Sequence, residues 1–456
     1  MKTSVITALG LAVAGLSLYG AVANAQQGPV RARFGSLGAP TVAQAEPPKL
    51  MGGLTAPASY SLQDLIELSL SKNPSLQQAG LNIQAAQGKA VQAALYPNPT
   101  VAVSGDELGD RTGPKGIWTV QAGQEIVLGG KLKLSRAAAL REVDQANLGL
   151  QSQRYTLFTS VRQSYFEVLA TQRRVEILDE LVKLAQKALD NAEKLQKGAQ
   201  IAELDVLPFR VELGRLAADF DASERELIAA RRRLAAAIGL PDLKIATVVG
   251  SMDLALPTYK YEEIHYLVME AHPDVQSAVV GITKAELTLR RAEVEKIPNV
   301  TVGSGYTRQN QNQSSDWLIG VSVPVPLFNR NQGNVQAASA ELGRARYEVS
   351  RVQNDLAGKL ATAHGQFTAA KQRVDRYRTS ILPNATKSYE LSLLAFKGGQ
   401  FEYLRVLQSQ RSVAEARLEY IRALSDAWRA ASEIAGLTLE DDFPLPAMQG
   451  IPPGKK

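Results

Sequence analysis

Lys197-Gly198-Ala199-Gln200-Ile201-Ala202-Glu203-Leu204-Asp205-Val206-Leu207 is echoed by Lys397-Gly398-Gly399-Gln400-Phe401-Glu402-Tyr403-Leu404-Arg405-Val406-Leu407. The echo extends outward in both directions. Tyr96-Pro97-Asn98-Pro99-Thr100-Val101 returns as Ile297-Pro298-Asn299-Val300-Thr301-Val302, and Trp118 returns as Trp317. Asn73-Pro74 is answered by His272-Pro273, and Ala237-Ile238-Gly239-Leu240 by Ile434-Ala435-Gly436-Leu437. A whole structural unit is therefore duplicated, and the fold is decided by what one unit contains. The two units are expected over residues 60–241 and 259–439.

Each unit reads as helix, strand, strand, very long helix, tight turn, helix. Ser61 caps the first helix with Asp64 as its acidic partner, and Asn73-Pro74 divides that helix. Strands are expected at Thr100–Ser104 and Ile117–Val127, then at Val300–Arg308 and Trp317–Val323. Trp118, Val120 and Ala122 point one way; Thr119, Gln121 and Gly123 point the other. Trp317, Ile319, Val321 and Val323 share a face opposite Leu318, Gly320 and Ser322. The same two-faced pattern suits a small soluble sheet packed on helices or a membrane barrel. Trp118 and Trp317 favour the barrel, because each stands where a polar loop meets a strand, the place of an interfacial aromatic belt.

From Lys131 to Lys197 there is no proline and one glycine, Gly149. Val161, Tyr165, Val168, Gln172, Val175, Leu178, Val182, Ala185, Leu189 and Ala192 fall at alternating steps of three and four, a coiled-coil seam with one polar position. A helix of that length spans roughly 100 Å at about 1.5 Å per residue. The second unit repeats the rod from Gln332 to Lys397, with a kink expected at Pro383. Gly198 and Gly398-Gly399 stand where the chain reverses, glycine tolerating a left-handed residue there. Return helices are expected from Leu204 to Gly239 and from Leu404 to Gly436.

The bulk properties narrow the function. The chain has 456 residues, no cysteine and a formal charge of +6. Disulfides, thiolate metal sites and a cysteine nucleophile are excluded, and dispersed charge without a basic run argues against nucleic acid. Lys2, the apolar stretch from Val5 to Val22 and Ala23-Asn24-Ala25 form a secretory leader over residues 1–25. Residues 26–59 read as an extended arm, and residues 440–456 as a tail. His265, His272 and His364 lack metal-ligand spacing, and Gly303-x-Gly305 lies in a strand, so it is no phosphate loop. No nucleophile–base pair has positional logic. No enzyme activity, cofactor or bound metal is expected.

Four strands per chain cannot close a barrel in lipid alone. Three identical chains in a ring supply twelve.

At this point the chain resembles the TolC-type outer-membrane efflux channels, from about Tyr60 to Leu439. The residues that carry the likeness are the duplicated order, Tyr96-Pro97-Asn98-Pro99, Glu125-Ile126-Val127-Leu128-Gly129-Gly130-Lys131, and Val321-Ser322-Val323-Pro324-Val325-Pro326-Leu327-Phe328-Asn329-Arg330-Asn331-Gln332-Gly333. The last two look most similar to the heavy-metal cation efflux (CzcC- and CusC-like) branch. The resemblance implies a mostly α fold, with long coiled-coil hairpins forming an α-barrel and four strands per chain joining a trimeric transmembrane β-barrel. It implies a passive duct in the outer membrane with a long periplasmic extension, working with a periplasmic adaptor (membrane fusion) protein and an inner-membrane RND-type pump. The adaptor would meet the tip at Gly198, Gln200, Leu204, Gly398, Gly399 and Leu404. Relatives carry a carboxylate in the second return helix near the closed end. Here Arg405 stands there, with Gln408 one turn on, and Asp205 is retained in the first unit, so Asp205, Arg405 and Gln408 are candidate gate residues. Many relatives are acylated at an N-terminal cysteine, which this chain lacks. Divalent cations are the expected cargo. A duct for drugs or for type I secreted polypeptides is the alternative within transport, and a soluble periplasmic coiled-coil adaptor without a pore is the alternative outside it.

Overall fold

A computed structural model describes residues 59–108, 116–199, 201–310, 312–398, 403–441 and 443. The leader, most of the arm and the tail from Pro444 onward lie outside the described residues. So do Gln200 and Gly399 of the expected tip.

The first unit contains β1 (Ser59–Tyr60), α1 (Leu62–Lys72), α2 (Pro74–Gln92), β2 (Thr100–Asp106), β3 (Ile117–Ile126), α3 (Lys131–Lys197) and α4 (Glu203–Ile238). A linker strand, β4 (Thr247–Val248), pairs in parallel with β1. The second unit contains α5 (Tyr261–Ala271), α6 (Pro273–Glu293), a 3-10 turn (Val294–Lys296), β5 (Val300–Gln309), β6 (Ser314–Ser322), α7 (Gln332–Arg376), a π turn (Tyr377–Ile381), α8 (Leu382–Lys397) and α9 (Tyr403–Leu437).

Local chemistry explains the boundaries. Ser61 Oγ accepts from the Asp64 amide at 3.2 Å while Asp64 accepts from the Ser61 amide at 2.9 Å, the reciprocal cap foreseen. Asn73 caps α2 by accepting from the Ser75 amide at 2.9 Å and spends its side-chain N–H groups on Ala237 O and Ile238 O, the last carbonyls of α4. One side chain thus closes two helix ends.

The first rod is a single helix of 67 residues over the span read from the sequence. The second is interrupted just before Pro383. Proline has no N–H and its ring clashes with the carbonyl of Thr379, so the chain inserts a π turn there. Val161, Tyr165, Val168, Leu178, Ala185, Leu189 and Ala192 of the expected seam are buried. Its polar member, Gln172, donates to Val248 O at 3.2 Å and accepts from the Val248 amide at 3.0 Å. The polar position therefore fastens the linker strand to the rod.

Three expectations are corrected. Gly436 does not terminate α9, which runs to Leu437; a Cβ on Gly436 would lie 1.9 Å from Thr159 Oγ1, so glycine is there for close helix packing. Gly239, by contrast, ends α4 at φ 92° in the left-handed region. At the first tip, Gly198 has φ −79°, and the left-handed residue is Ala199 at φ 53°. Finally, Glu440, Asp441 and Phe443 belong to the packed body. Arg162, 1% exposed, donates to Glu440 O at 3.0 Å and Asp441 O at 3.2 Å, and its guanidinium lies 4.8 Å from the centre of the Phe443 ring. Burial draws the Arg162 pKa down, against the pull of Glu440 and Asp441.

The main core lies midway along the rods. Trp428 stacks on Phe166 with ring centres 4.7 Å apart and donates its indole N–H to Met252 O at 2.9 Å. Both hairpins meet here. Toward the strands, the helices neighbour one another in the order α2, α3, α6, α7; toward the tips the order is α4, α3, α9, then α7 and α8. Each layer thus has first-unit helices on one side and second-unit helices on the other.

Candidate functional site

The four long strands form one antiparallel sheet in the order β2-β3-β5-β6. Its register sorts every side chain to one of two faces, because directly opposite residues share a face. Val103, Val120, Tyr306 and Trp317 are aligned across all four strands. Adjacent rungs on the same face bring Val101, Trp118, Val302, Ile319 and Val321. These are large apolar groups standing in the open: Trp118 is 46% exposed, Trp317 66% and Ile319 80%. The opposite face is small and polar. Thr100, Gly123, Gly303 and Gly320 share one rung, and Ser104, Thr119, Thr307 and Asp316 another, with Thr119 and Thr307 hydroxyls 3.1 Å apart.

The polar face lines a hollow of about 320 Å³ whose walls include Thr100, Gln121, Gly123, Gly303 and Gly320. An apolar outer face and a polar hollow are the reverse of a soluble sheet that packs its apolar side on helices, and they suit a wall between lipid and water. Gly303 and Gly305 both sit on the polar face. No helix among the described residues is long and apolar enough to cross a membrane. Asp106, Glu125 and Asp316 stand on the polar face. The one basic residue in the four strands, Arg308, is on the other face beside Trp118, where it donates to Gln313 O at 3.0 Å.

Trp118 and Trp317 share a face and lie two residues apart in register, with Tyr306 edge-on to Trp317 at 5.5 Å. The structure therefore gathers an aromatic group at the loop end of the sheet.

Where strand meets rod, Lys131 is buried to 2% exposure. It donates to Asn299 Oδ1 at 2.8 Å and to Glu295 at 3.3 Å, and Asn299 donates to Glu125 at 2.6 Å. Arg291 also pairs with Glu295. Burial alone would raise the Glu295 carboxyl; Arg291 and Lys131 outweigh it and hold it below the usual range. Further along the rod, Glu142 takes hydrogen bonds from Lys89 at 2.8 Å and Lys284 at 3.1 Å, which hold its carboxyl low. These contacts join the two units. Both Lys131 and Asn299 were visible in the motifs, but no local signal paired them.

At the tip, Ala188, Leu189, Ala192, Val206 and Phe209 form a separate apolar cluster against which Ile201, Leu213 and Leu407 pack. Leu407 comes from the second hairpin, so the two tips touch. Gly198, Leu204, Gly398, Asp205, Arg405 and Gln408 are exposed. Leu404 lies in the first turn of α9. Asp205 accepts from the Ala202 amide at 3.0 Å and so caps α4.

The histidines are placed differently from their sequence spacing. His265 and His364 both lie against Tyr261, with ring centres 5.7 and 5.4 Å from it. His272 replaces Asn73 as a helix cap, its Nδ1 accepting from the Asp274 amide at 3.2 Å. Among the described residues no group of three His, Asp or Glu side chains is placed to hold a metal.

A duplicated helical-hairpin unit with a two-faced sheet at one end defines a protein of the cell envelope. The sequence profile described as outer membrane efflux protein matches residues 65–240 and 265–438, and the chain belongs to that family. It is 28% identical over 431 residues to the cobalt-zinc-cadmium resistance protein CzcC of Cupriavidus metallidurans, covering 93% of this chain and 97% of that one. It is 25% identical to the pyoverdine export outer membrane protein OpmQ of Pseudomonas putida, covering 80% of this chain and 83% of that one. Its fold is similar to that of CusC, with a TM-score of 0.71 at 18% identity over 85% of this chain and 95% of that one. VceC of Vibrio cholerae is similar too, with a TM-score of 0.69 at 19% identity over 83% of this chain and 95% of that one. The protein is an efflux component of the outer membrane.

Proposed function

We propose that three copies of this chain close into a duct that carries divalent metal cations out of the cell, fed by a periplasmic adaptor and an inner-membrane RND-type pump. The observation that carries the cargo is full-length similarity to a cobalt-zinc-cadmium resistance protein. Nickel-cobalt-cadmium and nickel-cobalt resistance proteins are also among its relatives, at 22% and 24% identity. The sheet agrees in charge. Its polar face carries Asp106, Glu125 and Asp316 and no lysine or arginine, which favours cations in a water-filled bore. A duct needs no high-affinity ligand, since an ion held tightly would not leave.

Trimer formation is supported by two sheet edges, β2 and β6, that have no strand partner among the described residues, and by the need to satisfy them in lipid. Trp118 and Trp317 would then anchor the barrel at one interface. The tip residues Gly198, Gln200, Leu204, Gly398, Gly399 and Leu404 would meet the adaptor. Asp205, Arg405 and Gln408 would ring the narrow end of the duct, with Asp205 and Arg405 latching neighbouring hairpins.

Deleting the gene tests the cargo. Sensitivity to cobalt, zinc and cadmium should rise several-fold while sensitivity to dyes and detergents stays the same. The reverse pattern would support export of organic compounds, the reading that similarity to OpmQ favours. For the gate, Arg405→Glu should increase leakage through the tip. Unchanged single-channel conductance and antibiotic leakage would remove Arg405 from that role.

A further inference from the structure

One side chain in the sheet contradicts its surroundings. Arg308 is the only lysine or arginine in the four long strands, and it stands on the large apolar face. Its rung reads Gly105, Trp118, Arg308, Ser315 across the sheet. The rung below on that face reads Val103, Val120, Tyr306, Trp317, and the next Val101, Ala122, Ser304, Ile319. The strand carboxylates Asp106, Glu125 and Asp316 are all on the opposite face, so none of them neutralises Arg308 across a rung. β3 and β6 flank β5, which keeps Arg308 within the sheet's own surface and off both open edges.

Its depth is special. Arg308 occupies the last rung of that face before the β5–β6 turn. From Val300 to Arg308 the strand runs about 27 Å at about 3.4 Å per residue. Tilted by about 40°, it climbs about 20 Å, most of the roughly 25 Å apolar band of a membrane barrel. A charge on the lipid face is costly at mid-depth and nearly free at the rim, so Arg308 marks the rim. Trp118 beside it and Trp317 on the rung below agree, since such rings gather at headgroup level.

The guanidinium is fastened by one nitrogen. Nη1 donates to Ser315 Oγ at 2.8 Å and to Gln313 O at 3.0 Å. Ser315 Oγ also accepts from the Tyr306 hydroxyl at 2.7 Å, which ties the group to the aromatic rung. Bracing the turn needs only Nη1. Among the described residues no hydrogen bond uses Nε or Nη2, and the side chain is exposed. The Nε–Nη2 edge is the planar fork that meets two oxygens of one phosphate.

With the rods toward the adaptor and pump, the turn end of the sheet faces the cell exterior. The exterior leaflet of an outer membrane is lipopolysaccharide, whose lipid anchor carries phosphate groups above its acyl chains. That order, phosphate above and hydrocarbon below, is the order of the sheet: Arg308 at the rim, then Val103, Val120 and Ile319 beneath it. Basic groups at the membrane surface select lipids by the same pairing of charge.

We infer that Arg308 is a binding site for the phosphorylated lipid anchor of the exterior leaflet, with the Nε–Nη2 edge on a phosphate and the acyl chains along the apolar rungs below. The inference rests on the duct reading, which sets the lipid-facing side and the outward end of the sheet, and adds a lipid ligand, one site per copy.

The full-length protein, purified in mild detergent and freed of native lipid, is titrated with diphosphorylated lipid A and followed by native mass spectrometry. Enzymatically dephosphorylated lipid A should bind the wild type about fivefold more weakly, the loss expected when a charge-assisted fork has no phosphate to meet. Arg308→Gln should weaken binding of the phosphorylated form by a similar factor and leave the dephosphorylated form unaffected. Equal binding of the two lipids by the wild type overturns the inference without recourse to a variant. Wild-type affinity for phosphorylated lipid A in Arg308→Gln overturns it too. Inorganic phosphate that binds as tightly as lipid A would make the ligand a free anion and overturn the lipid. In each of these cases a protein that still runs as a trimer and conducts in bilayers leaves the duct reading standing. A monomer that salt releases from the membrane overturns both.

Discussion

The two units share a strand register and differ where they meet themselves and each other. The first hairpin has an unbroken rod and an apolar tip cluster; the second has a π turn in its rod and, near its tip, buried Ser392 and Gln410. The first unit supplies Lys131 and Glu125 to the junction, where the second has Gln332 and Pro324 in the corresponding places. Duplication thus preserved the periodic backbone and let the seams diverge. A seam inside one chain holds a buried lysine with three polar partners nearby. Within a chain the partner is always present, so a buried charge never faces the cost of waiting unpaired.

The largest effect should come from the two glycines that look equivalent in sequence. Gly436→Ala should cost about 3 kcal/mol by overpacking against Thr159, and Thr159→Ala should restore most of it. Gly239→Ala should be comparably damaging and not rescued by that change, because its φ is 92° and its Cβ would stand 2.7 Å from Pro74 Cδ. Thermal unfolding of the single and double variants measures both. Equal rescue would mean that the two glycines do the same work.

Next in size is the junction. Lys131→Met should destabilise by about 2 kcal/mol, since it leaves Asn299 and Glu295 short of a donor in a part-buried place. Gln332→Met, at the corresponding position of the second unit, should cost well under half as much. A denaturation series in detergent compares the two.

The helix caps differ in pH response. Asn73 does not titrate. His272 must be neutral at Nδ1 to accept from Asp274, and burial lowers its pKa, with Asp274 opposing and Lys359 reinforcing the shift. The unfolded chain therefore takes up the proton more readily. Stability tied to the neutral ring is full above about pH 6.5 and falls as pH drops toward and through the lower folded value. His272→Asn, which copies the first unit, should flatten the change in Tm between about pH 7.5 and pH 5. A slope unchanged by the substitution would assign it to other groups.

The smallest effect is at the tip. Ala199 holds a left-handed backbone where the second unit has Gly399. Ala199→Gly should stabilise the first turn by about 1 kcal/mol, seen as slower amide exchange around Lys197.

Much of this was legible in the sequence because it is periodic or local. The rod from Lys131 to Lys197, the Ser61–Asp64 cap, and the faces of Trp118, Val120, Trp317 and Ile319 follow from steps of 3.6 and 2 and from nearest neighbours along the chain. Pro383 announced an interruption, though not that it would take the form of a π turn. The tip was legible only as a reversal: the glycine spelling drew attention to Gly198, while the strained residue is Ala199.

The sequence by itself determined the duplication, the helix lengths and the two-faced strands, since each is written in hydrophobic spacing that a short window contains. Only the tertiary structure decided that Lys131 meets Asn299 and Glu295, that Gly436 makes room for Thr159, and that Gln172 holds the linker strand. Those pairings join residues far apart in the chain, and their geometry is set by how whole rods lie side by side, which no local pattern encodes.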